Sequence, residues 1–297
     1  MVQEFRKEQT KNMVVLVASG RSKRPRVFGK KAACPFCRGA EHTTPPTTFA
    51  LPNPAQWNVR AFRNAFGLVS PQTYRPFRNG RAPAYGEHEV IVENDEHGRY
   101  FPSFSSQELA RVYEAYAHRY HALKKRKHVK HVLLFKNHGR KAGASIEHEH
   151  AQIISLPFVP QLVENETRHA GHLIRKIKEE KQNVVFENDW AYVWCPSFSR
   201  FSYEMWIVPK KNVPSLMDYA ERESRVLMKT LQQCIRKLET ISDSYNVLFF
   251  ESPKRTPLQA HVELFPRRSD WAGLELGGGI IVNSKEPREA ARELRRL

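Results

Sequence analysis

The feature that constrains this chain most is an order of elements that occurs twice. In the first half, the strand-like run Glu89-Val90-Ile91-Val92-Glu93 is followed by Ser105-Ser106-Gln107-Glu108, which has the spacing of a capping box. The helix it opens carries Leu109, Val112, Tyr113, Tyr116, Tyr120 and Leu123 at helical spacing. A buried strand Val132-Leu133-Leu134-Phe135 and a strand from His148 to Leu156 complete the set. In the second half Met205-Trp206-Ile207-Val208 reads as a strand, and Ser215 precedes a helical region reaching Leu238. Val247-Leu248-Phe249-Phe250 and His261-Val262-Glu263-Leu264-Phe265 read as the strands that follow. Matching Val92 with Val208 and His150 with His261 gives an offset of about 110–115 residues. The pattern predicts an α+β molecule of two repeats, each an antiparallel sheet with packed helices, joined in one two-lobed molecule. The expected halves are residues 1–160 and 161–297. The proline-rich stretches 43–54 and 71–83 read as irregular loop, and Pro287 as the start of a short helix.

Composition sets the limits on function. With 297 residues, 40% hydrophobic and 27% charged, the chain can bury a sizeable core and does not read as disordered. The apolar run from Met13 to Ala18 is too short for a signal peptide or a membrane span, so a cytoplasmic protein without membrane contact is expected. Of four cysteines, two form the pair Cys34-Pro35-Phe36-Cys37, which reads as a metal clip or redox motif, and Cys195 and Cys234 stand alone. The net charge is +17, concentrated at Arg21-Ser22-Lys23-Arg24-Pro25-Arg26 and Lys124-Lys125-Arg126-Lys127. Such clusters suit a nucleic-acid surface or attract small polyanions such as nucleotides, and the second also suits a solvated helix end.

The segment richest in chemistry runs from Asn137-His138-Gly139 through Gly143-Ala144-Ser145 to His148-Glu149-His150-Ala151-Gln152. In a strand, His148, His150 and Gln152 share one face and Glu149 and Ala151 the other. The Gly- and Ser-bearing loop before them can bring backbone N–H groups close to a phosphate.

This segment resembles the active-site motif His-Pro-His-x-Gln of galactose-1-phosphate uridylyltransferases, a branch of the histidine-triad superfamily that includes the ADP-glucose phosphorylase type. Further pieces fall in the family's order across nearly the whole chain. Arg21 to Pro25 resembles its Arg-x-Lys-Arg-Pro, Cys34 to Cys37 its zinc pair, Trp57 to Phe66 with Asn64 its nucleoside-contacting segment, and Trp271 to Gly277 its substrate loop. The resemblance implies nucleotidyl transfer by double displacement, with His150 carrying the nucleotide and the carbonyl of His148 fixing its tautomer. Gln152 would hold the phosphoryl oxygens, and because an amide cannot move protons, it favours transfer over hydrolysis. Arg21 and Arg24 are implied as phosphate partners, Asn137, Gly143 and Ser145 as the phosphate loop, and Gly273 and Glu275 as the part of a homodimer's loop that reaches the sugar. Cys34, Cys37, His97 and His148 match the ligands of one structural zinc. The implied partners are a nucleotide-sugar and a sugar phosphate or phosphate.

Some positions depart from the family pattern. No second cysteine pair precedes Asp189, and Gln259-Ala260-His261 stands where relatives carry His-x-His, so a second metal is not expected and His261 reads as a plain buried or interfacial histidine. Glu149 replaces the motif's proline, and Ala65, Ser269 and Leu274 replace residues that contact ribose or sugar. An ADP-glucose or dinucleoside-polyphosphate phosphorylase or hydrolase using the same histidine is the alternative within enzymes. A zinc-stabilised nucleic-acid-binding protein is the alternative of another class, although no zinc-finger spacing or RNA-recognition motif accompanies the charge.

Overall fold

A computed structural model describes every residue except 1, 9, 11, 12, 25, 29–33, 169–171 and 254–258; Pro25 of the basic motif therefore lies outside the described residues. The chain forms two compact units. The first comprises Met1–Tyr100, Arg111–Leu134 and Ser145–Asn165, and the second Phe101–Ala110, Phe135–Ala144 and Glu166–Leu297.

In the first unit, strands β1 (Gln3–Glu8) and β2 (Met13–Ala18) form an antiparallel hairpin. The main sheet is built from β3 (Thr47–Leu51), β4 (Val59–Arg63), β6 (His88–Val92) and β8 (His150–Leu156), each antiparallel to the next; β5 (Arg81–Pro83) joins β1 instead. The stretches 43–54 and 71–83, expected as irregular loop, thus each contain a strand. Proline removes a ladder donor, but among the described residues β3 is an edge strand paired with β4, and Pro52 follows the strand rather than interrupting it. β5 is three residues long, and its partner lies more than seventy residues earlier in register with Phe5 and Ala82 opposed, so no local signal marks it.

Every residue of β6 is buried, and its two faces do different things. Its odd-numbered side meets helix α1 (Ser106–Lys124): Glu89 receives a bidentate pair from Arg119 at 2.7 and 2.8 Å, and Glu93, just past the strand, accepts from the Tyr116 hydroxyl. These partners are what make two buried carboxylates tolerable. The six apolar positions expected on α1 are all buried, and its start is the expected capping box, with Ser105 and Glu108 exchanging backbone N–H bonds at 2.7 and 3.3 Å. The even-numbered side of β6, His88, Val90 and Val92, lies opposite Ile154, Gln152 and His150 of β8. Val90 and Val92 pack there with Cys34, Phe36, Trp57, Phe62 and Ile146.

Strand β7 (His131–His138) divides its residues between the units, as α1 does. After α2 (Gln161–Thr167) and α3 (His172–Glu179), the second unit pairs β9 (Val184–Glu187), β10 (Ala191–Trp194), β11 (Met205–Pro209), β13 (His261–Pro266) and β12 (Tyr245–Phe250) in that antiparallel order. Helix α4 (Glu221–Glu239) precedes β12, and α5 (Gly273–Gly278) and α6 (Pro287–Leu294) close the chain, with Pro287 in the first turn of α6 as expected. The expected long helix after Ser215 is shorter at its start: the Ser215 hydroxyl caps a single 3-10 turn over Leu216–Asp218, and α4 begins only at Glu221. The architecture is α+β, with an antiparallel sheet in each unit. No described helix is long and apolar enough to cross a membrane.

Candidate active site

The site begins where β8 begins. His148, expected inside the strand, lies two residues before it, because its side chain is held by other elements. Its Nε2–H donates to the Asn94 carbonyl at 2.9 Å, which leaves Nδ1 as the ring nitrogen with a lone pair. That nitrogen lies 3.7 Å from the Cys34 sulfur and 3.6 Å from the Cys37 sulfur, and His97 Nδ1 lies 3.7 Å from Cys37. The four donor atoms all fall within 4.8 Å of one another, and two thiols with two imidazoles make a set that could hold a metal ion. Burial pushes the Cys34 thiol up to about 12, a charge penalty that a bound cation would offset.

His150, the first residue of β8, donates from Nδ1 to the backbone carbonyl of His148 at 2.7 Å. A carbonyl can only accept, so the neutral ring bears its lone pair on Nε2. The Phe36 ring lies edge-on to the imidazole with centroids 5.2 Å apart and restricts its rotation. Two residues along the same face, Gln152 places Oε1 3.1 Å from Nε2 of His88, a buried histidine that the sequence reading did not single out. The signal was present as a polar residue on the inward side of an otherwise apolar strand.

The segment after β4 supplies the next groups. Asn64 is pinned to β6 by a backbone bond to the His88 carbonyl at 2.8 Å, and its Oδ1 accepts the Phe66 N–H at 2.9 Å. Its Nδ2 lies 3.5 Å from His88 Nε2. Arg21 donates to the Phe66 carbonyl at 3.1 Å; burial, with Arg24 as a like charge nearby, holds its guanidinium below its ordinary value. Arg24 follows a 3-10 turn, and the chain just beyond it bonds Val27 to Ser145 at 2.7 Å and Glu147 to Val27 at 3.0 Å. The basic segment is thereby stitched to the loop before β8.

Arg21, Arg24, Cys34, Cys37, Asn64, His97, Ser145, His148, His150 and Gln152 all belong to the first unit. Asn137, Gly143, Gly273 and Glu275 belong to the second. There Asn137 Oδ1 accepts from Asn246 at 2.8 Å, and Gly143 takes φ +87° with open space around it. Its neighbour Gly139 (φ +78°) has no such room, since a Cβ would lie 2.3 Å from the Ser244 hydroxyl. Gly273 and Glu275, expected on a loop, start the short helix α5, because Glu275 bonds its own helix start: its carboxylate accepts from Ala272 at 2.9 Å and Val282 at 3.2 Å.

A second group of possible metal donors exists that the sequence did not reveal, made of Glu166, His261 and Glu263. His261 donates from Nδ1 to the Gln259 carbonyl at 2.9 Å, and its Nε2 lies 3.5 Å from Glu263 and 3.9 Å from Glu166. Arg200 already pairs with Glu263 and with Glu204 (3.1 Å), so a fixed cation engages one of the three donors. Burial works against charging His261, yet Glu263 and Glu166 outweigh it and raise its pKa.

Residues 51–160 match the family described as galactose-1-phosphate uridyl transferase, N-terminal domain. The chain is 28% identical to galactose-1-phosphate uridylyltransferase of Thermotoga maritima, over 95% of this chain and 94% of that one. It is 26% identical to ADP-glucose phosphorylase of Arabidopsis thaliana, over 99% and 93%. The crystal structure of the Arabidopsis thaliana ADP-glucose phosphorylase with bound ADP-glucose shares the fold, with a TM-score of 0.80 and 23% identity over 99% of this chain and 98% of that one. A uridylyltransferase structure does so with a TM-score of 0.83 and 23% identity over 99% and 97%. By motif and by sequence along nearly its full length, the chain is similar to galactose-1-phosphate uridylyltransferases and to ADP-glucose phosphorylase, and it shares their fold.

Proposed function

We propose that this protein is a nucleotidyltransferase that acts on a nucleotide-sugar through a nucleotidyl-His150 intermediate. The observation that carries the reading is the 2.7 Å bond from His150 Nδ1 to the His148 carbonyl, which sets the tautomer a nitrogen nucleophile needs. Nε2 attacks the α-phosphorus, the P–N bond forms, and the P–O bond to the sugar 1-phosphate breaks. That leaving group departs as a phosphate oxyanion and needs no proton, which suits an amide, Gln152, beside the nucleophile rather than an acid. In the second half, an oxygen of phosphate or of another sugar phosphate attacks the same phosphorus and the electron pair returns to Nε2. Throughout, Nδ1–H stays on the His148 carbonyl. Arg21, Arg24, Asn64 and Gln152 supply cationic and N–H donors to the phosphoryl oxygens, and the resemblance assigns Asn137, Gly143 and Ser145 to the family's phosphate loop.

The Cys34, Cys37, His97 and His148 set is assigned to one zinc, which would hold His148 in place; the chain's second donor group, engaged by Arg200, is assigned none. A homodimer accounts for Trp271, Leu274, Leu276, Ile280 and Val282, an apolar set that is 47–72% exposed beside Gly273 and Glu275. A cytoplasmic setting fits the free thiols. The test is intact-mass analysis after incubation with UDP-glucose, ADP-glucose and GDP-sugars in turn. One of them should add a single nucleoside monophosphate to the wild type and none to His150→Ala. A wild type that no donor labels would overturn the reading. Release of the label by phosphate or by a sugar phosphate then names the acceptor.

A further inference from the structure

We infer that His88 is a positioning residue for nucleotidyl transfer: it locks the Gln152 side chain so that its amide N–H groups, and not its oxygen, are presented to the phosphoryl group. This rests on the reading of His150 as the nucleotide carrier.

The argument starts from a group whose role is fixed. The backbone N–H of Leu68 can only donate, and it donates to His88 Nδ1 at 3.2 Å. That nitrogen therefore bears no proton, and the neutral ring carries its hydrogen on Nε2. A second proton is opposed by burial and by Arg21, which together push the group down to about 4. The partner of Nε2–H, 3.1 Å away, must be an acceptor, and it is Oε1 of Gln152. Peptide N–H, imidazole and amide oxygen thus form a hydrogen-bond chain with one direction, which ends on an acceptor of β8.

The consequence lies at the other end of the amide. Gln152 shares a strand face with His150, two residues away, and its Nε2 has no hydrogen-bond partner among the described residues. A glutamine left to itself can present either its oxygen or its NH2 group to a phosphate, and the first arrangement is repulsive. His88 removes it before any substrate arrives. Asn64 is set by its own turn: its Oδ1 is taken by Phe66 N–H, and its Nδ2 faces His88 Nε2 at 3.5 Å, where two donors meet and no hydrogen bond forms. The amide oxygens of Gln152 and Asn64 are thus both engaged, which leaves their NH2 groups as the ends able to donate.

Two measurements test this. Nitrogen-15 NMR of the imidazoles in the wild type should find His88 neutral with its proton on Nε2; a proton on Nδ1 overturns the inference, whatever the enzyme's substrate. Single-turnover nucleotidylation of His150, with whichever nucleotide-sugar labels the wild type, gives the functional arm. His88→Leu should slow that step by about 10–100-fold, while the donor concentration for half-saturation changes by less than about threefold. His88→Gln, which can again donate an N–H to Gln152, should recover most of the rate. If His88→Leu retains its metal and transfers at the wild-type rate, or if both folded variants are equally slow, the positioning role is wrong. Should His88→Leu not fold, the His88→Gln rate and the tautomer still decide. A wild type that takes no label defeats the nucleotidyl-transfer reading itself, and the NMR result then stands separately for His88.

Discussion

Two histidines, one in each unit, open equivalent strands in the same way. His150 begins β8 opposite Val92, the last residue of β6, and donates from Nδ1 to the carbonyl two residues back. His261 begins β13 opposite Phe250, the last residue of β12, and makes the same bond to Gln259 at 2.9 Å. Their surroundings differ. His150 is 7% exposed, and thiols, imidazoles and N–H donors surround its strand start. His261 is 0% exposed and stacks between the rings of Trp206 (4.6 Å) and Phe250 (4.9 Å), with Glu166 and Glu263 about its Nε2. A repeated backbone can present a nucleophile twice. Whether chemistry follows depends on what receives the phosphate, and carboxylates repel it where arginine and amides attract it.

The largest test of this contrast is to remove each histidine. His150→Ala should lower nucleotidyl transfer by on the order of 10⁴-fold or more, as expected when a covalent nucleophile is lost. His261→Ala should leave labelling within about threefold yet cost about 2–4 kcal/mol of stability through the cavity between two aromatic rings, seen as a lower melting temperature. Equal loss of labelling in both would collapse the distinction. Next in size is the proposed zinc. If the four donors hold it, Cys34→Ser or chelation should remove it, cost several kcal/mol of stability and slow labelling by about 10–100-fold, measured by elemental analysis beside the mass assay.

The histidines should also separate with pH. Burial holds His88 near 4, against an ordinary 6.5, so its stabilising effect is present above about 6.5 and is lost as acid protonates the unfolded chain first. The loss between those values is about 3 kcal/mol at most, and melting curves of His88→Gln should show a shallower fall on acidification than the wild type. His261 has the opposite sign: its raised value gives stability that is complete below the unfolded pKa and fades as pH climbs through the folded one. The smallest effect belongs to Glu166→Gln, which should leave metal content at one per chain and labelling unchanged. A second metal in the wild type that this substitution abolishes would show that the second donor group is a working metal site after all.

Much of this was legible in the chain itself. The repeat, the capping box at Ser105, the apolar stripe of α1 and the register of His150 and Gln152 all rest on local periodicity, which a sequence displays directly. The strands Thr47–Leu51 and Arg81–Pro83 were not legible, because proline-rich surroundings hide both and the second pairs with a strand distant in sequence. Neither were the roles of His88, Glu166 and Glu263. His88 and Glu263 are polar residues on otherwise apolar strand faces and Glu166 is one of several polar residues on α2, so only the neighbours each meets in the fold say whether it is ligand, buried ion partner or hydrogen-bond relay.

By itself the sequence determined a resemblance that implies a kind of chemistry, through a family motif of residue types at fixed spacing, a cysteine pair and a duplicated α+β pattern. These are properties of covalent order, so they survive without knowledge of the fold. Only the tertiary structure decided which nitrogen of His88 and of His148 keeps its proton. That choice is made by the N–H of Leu68 and the carbonyl of Asn94, and each meets its ring only because the chain has folded there.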